Sequence, residues 1–207
     1  MGNDLIPLAL TDLKALVIRQ RTEIAELFGF ETRNKYEIYD DNGSTVGFAA
    51  EQSRSLLGFI FRQIFGHWRR FDIIVFTPQR QAVYHAKNRF RIWFTRIEVT
   101  TMTDVKLGAI QKRFSIFSKR FDIEDGLGKV LMTVKSPFWR IWTFPVKGNG
   151  IEKAVIKKKW AGAVTELLLD KDRFRVEFSD PSLTQDHRAL LLVTALFIDL
   201  EYFESKA

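Results

Sequence analysis

Short stretches of alternating apolar and polar residues, separated by turn formers, run through most of the chain. Lys35-Tyr36-Glu37-Ile38-Tyr39 and Thr45 to Ala50 flank Asp40-Asp41-Asn42-Gly43. Asn-Gly supplies the positive φ angles of a tight turn, so the unit predicts a β-hairpin. Phe71 to Phe76 and Ala82 to Ala86 around Pro78-Gln79 predict a second hairpin. Phe121-Asp122-Ile123 and Lys129 to Lys135 around Asp125-Gly126-Leu127-Gly128 predict a third. Ile151 to Lys157, Val164 to Leu169 and Phe174 to Phe178 read as further strands. Residues 9–28 are ambiguous: Leu10, Leu13, Leu16, Val17, Ile24 and Leu27 recur near helical spacing, while Leu16-Val17-Ile18 reads equally as a strand.

The end of the chain is different. Ala189 to Ile198 is apolar except for Thr194, within a predicted helix over 185–203 that Thr184 or Asp186 would cap. Ten residues are too few for a bilayer span, which takes about 20. A helix apolar on all faces must be surrounded, and here the strands are available to surround it. The strands also repeat. Tyr36-Glu37-Ile38, Asp40, Gly43 and Val46 match Phe121-Asp122-Ile123, Asp125, Gly128 and Leu131, and Phe90-Arg91-Ile92-Trp93 recurs as Trp139-Arg140-Ile141-Trp142. The expected architecture is mainly β with one central helix: a closed, duplicated β-structure around a C-terminal helix. At 207 residues the chain is expected to form a single domain over 1–207, with 1–28 as its N-terminal segment.

Composition adds a surface to this frame. The net charge is +7 with 19 Phe and 5 Trp. Arg54 to Arg120 holds 14 Lys/Arg against 3 acidic residues, a net +11, and the rest of the chain holds 18 against 22, a net −4. Basic charge interleaved with aromatics points to an anionic membrane surface or to nucleic acid. Cysteine is absent, which excludes disulfides, thiolate metal sites, a catalytic thiol and thioacylation. His67, His85 and His187 do not have zinc spacing. No nucleophile elbow or Gly-rich phosphate loop is present, so no catalytic residues are assigned and an enzyme is not expected. No signal peptide is evident, since Leu5 to Leu10 contains Pro7 and has no basic residues before it.

The candidate contacts fall in three stretches. In 55–70, Leu57, Ile60, Phe61, Ile64, Phe65 and Trp68 fall within roughly 140° of a helical wheel at about 100° per residue. Arg62, Arg69 and Arg70 lie opposite. Apolar bulk with Trp on one face and Arg on the other suits an interfacial membrane helix. A helix packed on the barrel wall is the alternative. Phe90 to Phe94 and Phe138 to Phe144 add Arg91, Trp93, Trp139, Arg140 and Trp142. Indole rings favour the headgroup level, and each Lys or Arg near an anionic surface adds about 1 kcal/mol. The alternative for these two is alternating strand residues, aromatics inward and Arg outward. Nucleic acid would use the same ingredients but ranks lower, because no single-strand-binding motif is recognisable. Asp170-Lys171-Asp172 offers carboxylates for calcium, yet Arg175 and Pro181 occupy the positions where such a loop needs Gly and Glu.

Four of these segments carry a family resemblance. Gly29-Phe30-Glu31-Thr32-Arg33-Asn34-Lys35-Tyr36-Glu37-Ile38, Phe48-Ala49-Ala50-Glu51, Lys158-Lys159-Trp160-Ala161-Gly162 and Leu196 to Glu204 resemble, in order, the phospholipid scramblase domain. The resemblance implies a tubby-like fold, a roughly twelve-stranded antiparallel β-barrel around a hydrophobic C-terminal helix. It implies binding to phospholipid, with calcium-dependent movement of lipid between leaflets, at the inner face of a membrane reached from the cytoplasm. Scramblases of animals carry thioacylated Cys clusters, and this chain has none. The expectation is therefore reversible docking on anionic phospholipid through Leu57, Phe61, Phe65, Trp68, Arg69, Arg70, Arg91, Trp93, Trp139, Arg140 and Trp142. The family's calcium segment falls on Asp170 to Pro181. Asp170 and Asp172 are kept, but Arg173, Arg175 and Pro181 at the fourth, sixth and twelfth places remove two potential oxygens and add two positive charges, so no cofactor is expected. A binding module for nucleic acid or a protein partner, using the same basic surface, is the alternative.

Overall fold

The structure is a computed structural model that describes residues 8–21, 32–52, 71–89, 95–159 and 173–203. It contains strands β1 (Ala15–Gln20), β2 (Thr32–Tyr39), β3 (Thr45–Gln52), β4 (Asp72–Phe76), β5 (Ala82–Arg89) and β6 (Arg96–Thr101). β7 (Lys106–Arg113), β8 (Ser118–Asp125), β9 (Val130–Pro137), β10 (Thr143–Gly148), β11 (Ile151–Lys159) and β12 (Arg173–Phe178) follow, then helix α1 (Gln185–Tyr202). Neighbours in sequence pair antiparallel, and β1 pairs with β12, which closes a twelve-stranded barrel. The three predicted hairpins are β2–β3, β4–β5 and β8–β9. The ambiguous 9–28 segment contains strand β1. The predicted strand at 164–169 lies outside the described residues.

The first turns of the barrel show why the repeat is visible in the sequence. Asp40 Oδ1 accepts from the amides of Asn42 and Ser44, and Asp125 Oδ1 accepts from those of Leu127 and Lys129. Gly43 and Gly128 then take φ of 87° and 89°, which a side chain would strain. Thr77 and Thr101 do the work of Asp40 and Asp125 at the β4–β5 and β6–β7 turns, their hydroxyls accepting from Gln81 and Val105 amides. Each of these four hairpins shows a register shift beside its turn, as expected of a three-residue turn closed by a bulge. The offset repeat thus records one hairpin device used at both β2–β3 and β8–β9, half a barrel apart.

Inward side chains such as Leu16, Tyr36, Ile73, Ile97, Ile110, Phe121, Val134, Phe144, Ile156 and Val176 are fully buried against α1. Every residue of α1 from Arg188 to Leu200 is buried. The barrel is therefore filled along its axis. Its outer face carries charge: Arg96 pairs with Glu124 at 2.7 Å, and Arg113 with Asp122 at 2.7 Å and Glu124 at 3.2 Å. That is the reverse of the apolar outer band a membrane-spanning barrel needs. Among the described residues no helix is long and apolar enough to cross a membrane.

α1 enters under a capping box. Thr184 Oγ1 accepts from the His187 amide, and His187 Nδ1 accepts from the Thr184 amide, each at 3.3 Å. Thr184 and not Asp186 is the cap. Buried Arg188 anchors this end. It donates to the carbonyls of Leu183, Leu10 and Leu13 and lies 4.5 Å above the Phe178 ring. Farther along, Gly108 lets β7 approach both β8 and the helix. A Cβ there would stand 2.1 Å from the Glu124 carbonyl oxygen and 3.0 Å from a Leu190 methyl. Gly108→Ala is expected to lower stability by about 1–3 kcal/mol, because a backbone oxygen must move to admit it. Urea unfolding measures this, and an unchanged midpoint would mean the wall yields freely.

Candidate functional site: one rim of the barrel

Because successive strands alternate in direction, the strand ends joined by the β1–β2, β3–β4, β5–β6, β7–β8, β9–β10 and β11–β12 connections are all at one end of the barrel. α1 starts at the opposite end and finishes at this rim, where Phe203 stacks on Trp142 at 5.7 Å. The topology therefore brings to a common edge the strand ends between which the sequence-based candidates fall. Gln52 and Phe71, at the ends of the β3–β4 connection, are at this rim, as are Arg89 and Thr95 at the ends of β5–β6. Leu57, Phe61, Phe65, Trp68, Arg69, Arg70, Arg91 and Trp93 themselves lie outside the described residues, as do Asp170 and Asp172. Of the sequence-based candidates, Trp139, Arg140 and Trp142 are described, and all three stand on the β9–β10 turn.

That turn is held firmly. Ser136 Oγ donates to the carbonyls of Arg140 and Thr143 at 2.9 and 2.8 Å, the Arg140 amide donates to the Pro137 carbonyl, and the Lys158 amide donates to the Trp142 carbonyl at 2.8 Å. The pinned backbone leaves Trp139 80% exposed, with Arg140 beside it, while Trp142 keeps one face on Phe203. The reading of Phe138 to Phe144 as an alternating strand with its aromatics inside does not hold here. Strand β10 begins only at Thr143, and of the aromatics only Phe144 is buried in the barrel.

A second turn, unmarked in the sequence analysis, completes the patch. The β7–β8 turn exposes Phe114 and Phe117 to 73% and 74%, with Ile116 between them. It touches the first turn, since the Phe138 amide donates to the Phe117 carbonyl at 3.4 Å. Every exposed Phe or Trp among the described residues (Phe114, Phe117, Phe138, Trp139 and Trp142) is on this rim. At the opposite end the exposed large apolar residues are all non-aromatic: Met102 and Val105 at the β6–β7 turn, Leu127 and Val130 at the β8–β9 turn, and Ile151 at the start of β11. Arg113, Arg120 and Arg140 are exposed cations beside these two turns. A signal for 114–117 exists in the sequence: Phe-Ser-Ile-Phe lies between the basic pairs Lys112-Arg113 and Lys119-Arg120.

Beneath the patch the barrel interior turns polar. Lys158 Nζ lies 3.4 Å from Asp199 Oδ1, and the Tyr36 hydroxyl donates to Asp199 Oδ2 at 2.9 Å. Lys112 pairs with Glu201. Lys119 and Lys158 lie over the Phe203 ring, Lys158 at 3.8 Å. α1 has no basic residue in its last turn, so these three wall lysines face the negative end of the helix dipole in its place. Burial raises the Tyr202 hydroxyl above its ordinary range, with Glu201 adding to the effect, so it stays protonated. Among the described residues no three His, Asp or Glu side chains gather as a metal site.

A closed barrel filled by its own C-terminal helix, with aromatics and arginines at one rim, defines a non-channel barrel that presents one amphipathic edge. The chain belongs to the Scramblase family, whose model matches residues 4–205. It is 27% identical over 210 residues to phospholipid scramblase 2 of Bos taurus, spanning 94% of this chain and 70% of that protein. It is 26% identical over 241 residues to altered inheritance rate of mitochondria protein 25 of Saccharomyces cerevisiae, spanning 95% of this chain and 73% of that one. Against phospholipid scramblase 1 of Homo sapiens the identity is 26% over 211 residues, 95% of this chain and 65% of the relative. No solved structure matches the chain.

Proposed function

We propose that this protein docks peripherally on anionic phospholipid, at the cytoplasmic face of a membrane, through the aromatic rim, and that it perturbs or moves lipids there. The observation that carries the reading is the confinement of every exposed Phe and Trp among the described residues to two touching turns flanked by arginines. Aromatics at headgroup depth with cations beside them are what an anionic interface binds. Trp139, Arg140 and Trp142 act as contacts in this proposal, joined by Phe114 and Phe117. Leu57, Phe61, Phe65, Trp68, Arg69, Arg70, Arg91 and Trp93 lie in sequence between strand ends of this rim, and in this proposal they act with them. The filled interior leaves no route along the barrel axis, so any lipid movement takes place at the rim or the outer wall. The names of the scramblase relatives support the lipid assignment.

The test is flotation with phosphatidylcholine vesicles containing phosphatidylserine. Phe117→Ser with Trp139→Ser is expected to weaken binding at least tenfold, with the thermal midpoint unchanged because neither side chain is buried. Adding salt is expected to weaken the parent's binding, since the arginines act at long range. Retained vesicle binding by the double variant would sink the proposal, and DNA binding lost by the same variant would move the rim to the alternative reading.

A further inference from the structure

Ser115 stands in the middle of the β7–β8 turn, between exposed Phe114 on one side and exposed Ile116 and Phe117 on the other. Its setting in the sequence is Lys112-Arg113-Phe114-Ser115-Ile116. Of all the serines and threonines in the chain, it alone follows basic residues at both the third and the second position before it. Protein kinases select substrates by charge pattern. A hydroxyl with two cations upstream and an apolar residue next in line suits the acid-lined groove of a basophilic kinase. The turn is also lightly tied. The last rung of the β7–β8 ladder is Arg113 opposite Arg120, so residues 114–119 lie beyond it. Ser115 Oγ bonds to Ser118 Oγ at 2.6 Å, one hydroxyl to another. Ser136, beneath the neighbouring turn, is by contrast fully buried and bonded to the carbonyls of Arg140 and Thr143. Exposed segments outside a ladder open at low cost. Lys112 already pairs with Glu201, and Arg113 with Asp122 and Glu124. Acids of the kinase take the place of those carboxylates while it is bound, so presenting the turn exchanges ion pairs and bares no cation.

We propose that Ser115 accepts a phosphoryl group from a basophilic Ser/Thr protein kinase, and that the phosphate releases the rim from anionic lipid. The release rests on the docking proposal above; the acceptor site does not. In the transfer a bond forms between Ser115 Oγ and the γ-phosphorus of ATP, and the bond from that phosphorus to the β,γ-bridging oxygen breaks. ADP leaves with the electron pair, and the hydroxyl proton passes to the kinase. A phosphoserine carries a charge of about −1.5 to −2 at pH 7. Here it stands among the side chains that the turn presents to the headgroups. It repels the lipid charge, and it must shed water to enter beside Phe114 and Phe117. Basic membrane contacts are switched off by phosphorylation on the same electrostatic principle.

Incubation of the full chain with a purified basophilic kinase, the catalytic subunit of cyclic-AMP-dependent protein kinase, and ATP tests the site. Peptide mass mapping is expected to place one phosphate, on Ser115, and Ser115→Ala is expected to take up none. The phosphorylated chain is then floated with phosphatidylcholine vesicles containing phosphatidylserine. It is expected to bind at least tenfold more weakly than the unmodified chain, with Ser115→Asp part of the way. Kinase-treated Ser115→Ala is expected to float like the parent. The weakening is expected to grow with the phosphatidylserine fraction, which a merely distorted turn would not produce. Phe117→Ser with Trp139→Ser is expected to take up phosphate like the parent, so that loss of docking and loss of the acceptor are read separately. An unmodified chain that does not float sinks the docking proposal and the release with it, while uptake at Ser115 still decides the acceptor. Absence of phosphate on Ser115, or a Ser115-phosphorylated chain that floats as well as the parent, overturns the inference.

Discussion

Asp199→Ala is expected to destabilise the protein by about 3–5 kcal/mol, because it strands a buried ammonium. Asp199 is 2% exposed, and it faces Lys158, whose side chain is 1% exposed, and the Tyr36 hydroxyl. Removing the carboxylate leaves Lys158 with the Phe203 ring but without that counter-charge. Lys158→Met combined with Asp199→Leu removes both charges and is expected to recover most of the loss. Chemical denaturation of the two variants measures this. An Asp199→Ala deficit below about 1 kcal/mol would mean that other groups at the barrel mouth already balance Lys158.

This pair also marks where sequence reasoning was strong and where it stopped. The apolar run from Ala189 to Ile198 demanded enclosure, and the hairpins with Asp-x-x-Gly turns supplied enough strands to enclose it. The barrel and its central helix follow from those two facts together. Strands β6, β7 and β10 were not singled out. In β7 the inward Gly108 interrupts the apolar alternation, since it is small in order to admit the Glu124 carbonyl and Leu190. In β10 Pro145 interrupts a short strand. The rim was half legible. Trp139, Arg140 and Trp142 stood out by type and repetition, whereas Phe114 and Phe117 sit on a turn with no Gly, Pro or Asn to mark it. Their exposure arises from the closing of β7 onto β8, which only the fold reveals. The neighbours made by the closure of the barrel could not be read at all. Arg19, Lys159 and Arg173 lie far apart in sequence, and the β1–β12 closure makes them neighbours.

Phe197→Ala is expected to cost about 3–5 kcal/mol, the range for emptying a buried aromatic site. Phe197 lies on α1 with 0% exposure, and its ring meets Phe71 edge-on at 5.5 Å and Phe121 at 5.2 Å. Phe71 precedes β4 and Phe121 lies in β8, so one side chain bridges two well-separated parts of the wall through the helix. A barrel closed by ladder hydrogen bonds cannot contract easily around a lost ring, so the cavity persists and the cost stays near the upper end. Phe197→Leu is expected to cost less, because leucine refills part of the volume. Because Phe121 also packs against Tyr202 at 5.9 Å, the cavity also loosens the last turn of α1, which supports Phe203 under Trp142. Phe197→Ala is therefore expected to weaken vesicle binding modestly even where the chain remains folded, whereas a purely local core effect would lower the urea midpoint and leave flotation of the folded protein unchanged.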